Sequence, residues 1–154
     1  MSKKEINIIN KKASFDFNIL QKFTAGLQLS GTEVKSVRAG NASINDAFCF
    51  FKLNKQTQTE ELYIKGMNIG TFKQGSYSNH EPFRQRKLLL KAAELRKLKA
   101  KATEKGFTII PIKIFESENG FIKLEIAIAQ GKKSFDKRES IKERDIARNL
   151  SRSM

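Results

Sequence analysis

Apolar residues recur at every second position through much of this chain, most clearly over 121–129. There Ile122, Leu124, Ile126 and Ile128 alternate with Lys123, Glu125, Ala127 and Ala129. A period of two predicts a strand with one apolar face. The segment 107–115 places Ile110, Ile112 and Ile114 on one face, and the polar stretch 116–120, ending in Asn119-Gly120, predicts a hairpin loop between the two. Pro111 has no N–H to give a ladder, so it marks an edge or a bulge. Further strands are expected over 15–22, 25–30, 47–53 and 61–67. Six short strands in a small chain must close on themselves or pack as two sheets, and a barrel is favoured.

Two stretches change period. Thr32–Ala39 predicts a short helix, with Gly31 before it and Gly40 as its stop. A longer helix is expected over 91–105, ending at Gly106, with Ala92, Leu95, Leu98 and Ala102 as its core-facing stripe. Arg96, Lys97 and Lys101 fall outside that stripe and read equally well as a solvated face. The segment 72–90 has little periodicity and predicts a long irregular loop, which in a small domain is usually functional or disordered. It places Tyr77 and His80 near Arg84 and Arg86, combining stacking surfaces with phosphate donors as RNA-binding surfaces do. From Gly131 onward the alternation stops. Residues 1–130 are therefore expected to form the barrel, with helices near 32–39 and 91–105. Residues 131–154 are expected to be a basic tail, disordered when free and helical when a partner orders it; by spacing alone they read equally well as an ordinary disordered basic tail.

Charge sharpens this division. The 154 residues carry 30 Lys+Arg against 16 Asp+Glu, a formal net charge of +14. Residues 84–105 hold nine basic and two acidic residues, and 131–154 hold eight and four, so the remaining body contributes only +3. Two concentrated basic elements on a nearly neutral body suit a polyanion, because neutralising phosphates releases counterions. Membrane surfaces attract the same charge, but no apolar run is long enough to span a bilayer, and the N-terminal apolar stretch is too short for a signal peptide. One cysteine allows no internal disulfide and agrees with a reducing cytoplasm.

Enzyme chemistry finds little footing. One His and one Cys do not make a metal site, and no Gly-rich phosphate loop is present. No metal and no cofactor are expected. Cys49 lies within Phe48-Cys49-Phe50-Phe51 and reads as a packed thiol. Glu33, at the start of a helix, reads as a capping carboxylate. His80 could serve as a base, although a loop histidine in a basic region more often touches RNA.

Three motifs are specific in combination. They are Gly31-Thr32-Glu33-Val34-Lys35-Ser36-Val37-Arg38-Ala39-Gly40, then Arg86-Lys87-Leu88-Leu89-Leu90, then Gly131-Lys132-Lys133-Ser134-Phe135-Asp136-Lys137-Arg138-Glu139 with Ile141-Lys142-Glu143-Arg144-Asp145. In order and spacing, from about Asn10 to Asp145, the chain resembles the small protein B family of SsrA-binding, or tmRNA-binding, proteins. The resemblance implies a mainly β fold with flanking helices: an OB-like closed antiparallel β-barrel carrying a basic C-terminal tail disordered when free. It implies a monomeric, bacterial, cytoplasmic factor of trans-translation that catalyses no reaction and binds no membrane. Such a factor binds the tRNA-like domain of tmRNA and, with elongation factor Tu, delivers it to ribosomes stalled without a usable stop codon. The tail would probe the empty mRNA channel of the 30S subunit near the decoding centre.

By motif, Asn10, Glu33, Leu89 and Lys123 match positions implicated in tmRNA binding, with Lys11, Lys12, Lys35, Arg38, His80, Arg84, Arg86 and Lys87 beside them. Lys132, Lys133, Phe135, Asp136, Lys137, Arg138, Ile141, Lys142 and Arg144 fall in the ribosome-binding tail. Phe135 stands where the family usually has His or another aromatic, so stacking would be the property required there. Thr24 replaces a frequent acidic residue, Gln130 a common Lys, and Phe17 a frequent Tyr. Two other readings stay open: a ribosomal RNA-binding barrel with a generic basic extension, and an RNA-processing enzyme using His80 with Glu33 or Asp46.

Overall fold

A computed structural model describes residues 6–72 and 79–132 of the chain. The described residues are mainly β with a few helices. In chain order the elements are β1 (Asn7–Ile9), α1 (Ala13–Asp16), β2 (Phe17–Leu27), α2 (Gly31–Arg38), β3 (Ala42–Ser43), β4 (Phe48–Asn54), β5 (Thr59–Lys65), β6 (Asn68–Ile69), β7 (Arg86–Leu89), α3 (Ala92–Ala102), β8 (Phe107–Glu116) and β9 (Ile122–Gly131). Seven strands share one sheet in the order β1-β8-β4-β5-β7-β2-β9, and β9 pairs again with β8. Six strands are thus linked in a circuit of antiparallel pairings, and β1 adds outside on β8. The links differ in length. β2–β9 and β8–β9 are matched along nearly their whole lengths, whereas β4 meets β8 in register only at Cys49–Ile109.

The inward-facing residues of this circuit build the core. Ile122, Leu124, Ile126 and Ile128 of β9 are all buried there with Phe23 and Ala25 of β2, Leu62 and Ile64 of β5, and Leu88 of β7. Each such side chain, fully buried, stabilises the fold by roughly 1.5–3 kcal/mol. Cys49 joins this core, and burial pushes its thiol pKa up, so it packs as an apolar group.

Several expectations change. The strands expected over 15–22 and 25–30 form one long strand, β2, interrupted by a register shift between Ile19 and Gln21 that leaves Leu20 exposed. Ile110, Ile112 and Ile114 do not share a face. A register shift between Pro111 and Lys113 changes the phase, so Ile114 enters the main core while Ile110 and Ile112 join a smaller cluster with Ala13 and Ala129. That shift sits beside the proline, which cannot donate to the ladder there.

The stretch 72–90 is not all loop, because Arg86–Leu89 pairs with both β5 and β2 as β7. Its few apolar residues and dense charge concealed a strand that buries Leu88 and an arginine. In α3, Leu95, Leu98 and Ala102 face the core, but Ala92 is exposed at the helix start. The hairpin at 116–120 closes with the Ser117 N–H donating to the Phe121 carbonyl and Gly120 at a φ of +85°, a conformation glycine adopts without steric cost.

The register also gives the circuit two ends. Glu116 faces Ile122 and Gly26 faces Lys123 at one end, and Phe107 faces Gln130 and Phe17 faces Gly131 at the other. About 30 Å of strand separates them at ~3.3 Å per residue. Arg38 of α2 donates to Glu116 (3.1 Å) and to the Gly120 carbonyl (3.2 Å), which ties α2 to the first end.

Candidate nucleic-acid interface

α2 begins with a capping box. The Ser30 hydroxyl accepts from the Glu33 N–H (3.4 Å), and the Ser30 N–H donates to Glu33 Oε1 (2.8 Å). The carboxylate is not used up by this role. Arg84 Nη2 donates to the same oxygen at 2.7 Å, and Arg86 Nε donates to Oε2. Arg84 and Arg86 are two apart on an extended segment, which lets both reach one partner.

Glu33 and Arg86 are fully buried, so desolvation must be offset. Arg86 Nη1 donates to the carbonyls of Met67 (3.0 Å) and Arg84 (2.9 Å), and Nη2 to those of Glu81 (3.3 Å) and Pro82 (3.1 Å). All five guanidinium N–H groups are therefore occupied. Burial pushes the Glu33 carboxyl pKa up, but Arg84, the Ser30 N–H and Arg86 together outweigh it and hold it at about 2.

This ion pair shapes the surrounding chain. Four carbonyls on Arg86 gather the 81–84 turn and Met67, between β5 and β6, around one guanidinium. His80 closes the other side. Its Nε2 donates to the Ile69 carbonyl (2.9 Å), and Nδ1 lies 2.9 Å from the Thr32 hydroxyl, which donates to it when the ring is neutral. Asn79 bonds both the N–H and the carbonyl of Phe72 (2.9 and 2.7 Å), which holds these two residues side by side. Sequence reasoning did not single out Ser30, Asn79 or Met67. Ser30 with Glu33 was visible as a capping pair, but a carbonyl acceptor leaves no mark on residue type.

The expected binding residues fall into two groups. Asn10, Glu33 and Arg86 are buried. Asn10 donates to the Pro111 carbonyl (2.8 Å) and accepts from the Lys12 N–H (3.1 Å), joining the N-terminal segment to the β8 irregularity. Lys11, Lys12, Lys35, Arg38, Arg84 and Leu89 are exposed, and His80, Lys87 and Lys123 half-exposed. Of these, Lys12 pairs with Asp46 at 2.8 Å, and Lys87 pairs with Glu61. Lys35 stands 5.6 Å over the Phe72 ring.

Register lines up three residues across adjacent strands. Leu89 of β7 faces Gly26 of β2, which faces Lys123 of β9. Leu89 is 50% exposed, and a Cβ on Gly26 would come within 3.3 Å of it, so the glycine makes room for its side chain. Lys123 lies 5.9 Å over the ring of Phe121, which is 64% exposed. The row joins an aliphatic face, an aromatic ring and a cation, a combination able to stack on a base beside a phosphate. Phe121, although inside the expected strand 121–129, was not singled out because it is off the apolar face formed by Ile122, Leu124, Ile126 and Ile128; β9 begins one residue after it.

Lys132 is the last described residue. Its N–H donates to the Asp16 carbonyl (2.9 Å) and its Nζ to the Ser14 carbonyl (2.8 Å), which brings the chain out against α1. Lys133, Phe135, Asp136, Lys137, Arg138, Ile141, Lys142 and Arg144, like Tyr77, lie outside the described residues. No group of three or more His, Cys, Asp or Glu side chains suited to a metal ion is present among the described residues, and none of their helices is long and apolar enough to cross a membrane. His80 bonds Thr32 and Ile69, while Glu33 is engaged by two arginines and Asp46 by Lys12. Both ring nitrogens of His80 are thus taken by groups other than Glu33 and Asp46.

The model of the family described as SmpB protein matches residues 7–154. The SsrA-binding protein of Cytophaga hutchinsonii is 50% identical over 149 residues, 97% of this chain and 94% of that protein. That of Phocaeicola vulgatus is 48% identical over 147 residues, 96% of this chain and 94% of its own length. A solved structure described as "tmRNA-SmpB: a journey to the center of the bacterial ribosome" is similar with a TM-score of 0.69 and 39% identity, covering 88% of this chain and 94% of that one.

Removing one partner of a buried, hydrogen-bonded ion pair leaves the other charge uncompensated. Glu33→Gln should lower unfolding stability by about 3 kcal/mol or more in denaturant titration. Its pH dependence has a definite sign. The folded pKa lies below the ordinary 4.5, so this contribution is fully present above pH 4.5 and is lost as pH falls toward about 2. Wild-type stability should therefore drop across that window more steeply than that of Glu33→Gln; parallel curves would deny the carboxylate this role.

Proposed function

The chain belongs to the SmpB protein family, and from that membership we infer that it is a tmRNA-binding factor of trans-translation. It binds the tRNA-like domain of tmRNA and delivers it to ribosomes stalled without a usable stop codon. The observation that carries this reading is the family match over residues 7–154, joined to a likeness with a solved tmRNA–SmpB structure. Elongation factor Tu travels with the complex through tmRNA. The site is the bacterial cytoplasm, and the protein catalyses no reaction.

The body, residues 1–130, is an OB-like closed barrel, a reading that the circuit of antiparallel pairings supports. Its tmRNA face comprises the exposed Lys11, Lys12, Lys35, Arg38, Arg84, Lys87, Leu89 and Lys123, with His80 at its margin. The buried Asn10, Glu33 and Arg86 act through the segments they hold. Glu33 and Arg86 fix the turn that presents Arg84, and Asn10 fixes the N-terminal segment that presents Lys11 and Lys12. Phosphate contacts from the lysines and arginines supply most of the affinity, while the row through Leu89, Gly26 and Lys123 supplies a surface that fits an unstacked base.

Residues 131–154 are the ribosome-binding tail, helical when seated in the empty mRNA channel. Lys132, Lys133, Lys137, Arg138, Lys142 and Arg144 meet rRNA phosphates, Phe135 stacks, Asp136 and Ile141 belong to the same ribosome-engaging motif, and a channel filled by mRNA excludes them all.

Purified protein should bind the tRNA-like domain of tmRNA at least tenfold more tightly than an ordinary tRNA or a ribosomal RNA fragment. The comparison belongs near physiological ionic strength, where a Debye length of about 8 Å damps indiscriminate attraction. Equal binding to all three would favour a generic ribosomal RNA-binding protein. Deleting residues 131–154 should leave affinity for the tRNA-like domain within about threefold and abolish tagging of stalled chains in a reconstituted translation system. Loss of both together would remove the division between body and tail.

A further inference from the structure

Beside the root of the tail lies a groove of about 460 Å³, formed by α1, the turn before β4 and the start of β8. Phe17, Phe48 and Ile110 give it apolar walls, and Lys12, Asp16 and Asp46 line it with charge. Phe48 is 44% exposed and Phe17 half-exposed, so aromatic surface is left uncovered here. The groove and the tail meet at α1. Lys132 donates its N–H to the Asp16 carbonyl and its Nζ to the Ser14 carbonyl, and Gly131 is in register with Phe17. The chain therefore leaves the body along two residues of the groove lining. Phe135 follows three residues after Lys132, a span of at most ~11 Å in extended chain.

Charge matches as well as reach. The groove carries two carboxylates against one lysine, in a chain whose net charge is +14. The segment after Lys132 reads Lys133-Ser134-Phe135-Asp136-Lys137-Arg138. An aromatic ring flanked by cations thus emerges beside apolar walls flanked by acids. Asp46 already pairs with Lys12 at 2.8 Å, but its side chain is 81% exposed, so a second cation can approach it.

We propose that this groove seats the chain's own tail in the free protein, with Phe135 between Phe17 and Phe48 and with Lys133 and Lys137 toward Asp16 and Asp46. The short tether makes a weak contact sufficient. A linker of a few residues gives an effective concentration in the mM range, so a contact with a dissociation constant of about 1 mM is already half occupied. Such a contact holds the motif without trapping it, and a tighter partner displaces it. Residues beyond Lys137 stay outside the contact. That the seat covers a ribosome-engaging motif until the ribosome competes for it rests on the tail reading; the seat itself does not.

The chain contains no tryptophan, so Phe135→Trp places a single fluorescent reporter in the full-length protein. Ile141→Trp, further along the tail, is the reference for a ring outside the groove. The Phe135→Trp protein should emit at shorter wavelength than the reference and be quenched by acrylamide at least about twofold less, as half occupancy requires. Adding Phe48→Ser, which removes an exposed wall, or Asp46→Lys, which reverses a charge, should each raise its quenching to the reference level. The protection should be unchanged on roughly hundredfold dilution, because an intramolecular contact does not depend on protein concentration.

Equal quenching of the two reporters would overturn the proposal. So would protection that survives both groove variants, since the ring would then be covered elsewhere. Protection lost on dilution would overturn it too, assigning the groove to the tail of a second copy. Circular dichroism and a thermal midpoint matching wild type exclude unfolding as the source of increased quenching. Tagging that survives deletion of residues 131–154 would instead overturn the tail reading, which none of these fluorescence results decides.

Discussion

Two opposite charges removed from water, Glu33 and Arg86, hold the α2 end of this protein together. Such a pair is a poor source of stability unless its remaining hydrogen-bonding capacity is met. Here four main-chain carbonyls and a capping N–H meet it, with Arg84 added on the carboxylate. The same bonds set the course of residues 81–86 and the direction in which Arg84 emerges. A hydrophobic pair of equal volume could fill the space, but it could not collect carbonyls from Met67, Glu81, Pro82 and Arg84 around one point. The ionic centre is thus an organiser of backbone, and its benefit lies in one fixed loop shape beside Leu89 and Lys123.

The strand circuit turns that local order into a division of surfaces. Because β2, β8 and β9 run antiparallel along most of their length, residues close in sequence can lie at opposite ends. Gly26 and Lys123 fall at the α2 end; Phe17, Phe107 and Gly131 fall at the other. The first end carries α2, and the second carries α1, against which the chain leaves at Lys132.

Much of this was legible in the chain. Strand β9 and its hairpin are written as alternation and an Asn-Gly turn, and Ser30 with Glu33 is written as a capping pair. Other features lay beyond pattern. The phase change at Pro111 redirects Ile110 and Ile112 to a second cluster, because a single irregular residue moves every later side chain to the other face. β7 was concealed because it is short and its first residue is an arginine, whose burial depends on carbonyls brought from distant segments. The same cause separates the expected site residues. Sequence motifs marked Glu33, Arg86 and Asn10, but not that all three are buried and hydrogen-bonded to groups brought from distant segments.

The most direct measurement is amide hydrogen exchange on Glu33→Gln, under conditions where the protein remains folded, with affinity for the tRNA-like domain measured on the same sample. If the ion pair acts by holding the loop, exchange should quicken across residues 79–89 while the β8–β9 ladder keeps its protection, and RNA affinity should fall with it. Unaltered protection over 79–89 together with lost affinity would contradict this, because Glu33 would then have to meet the RNA itself.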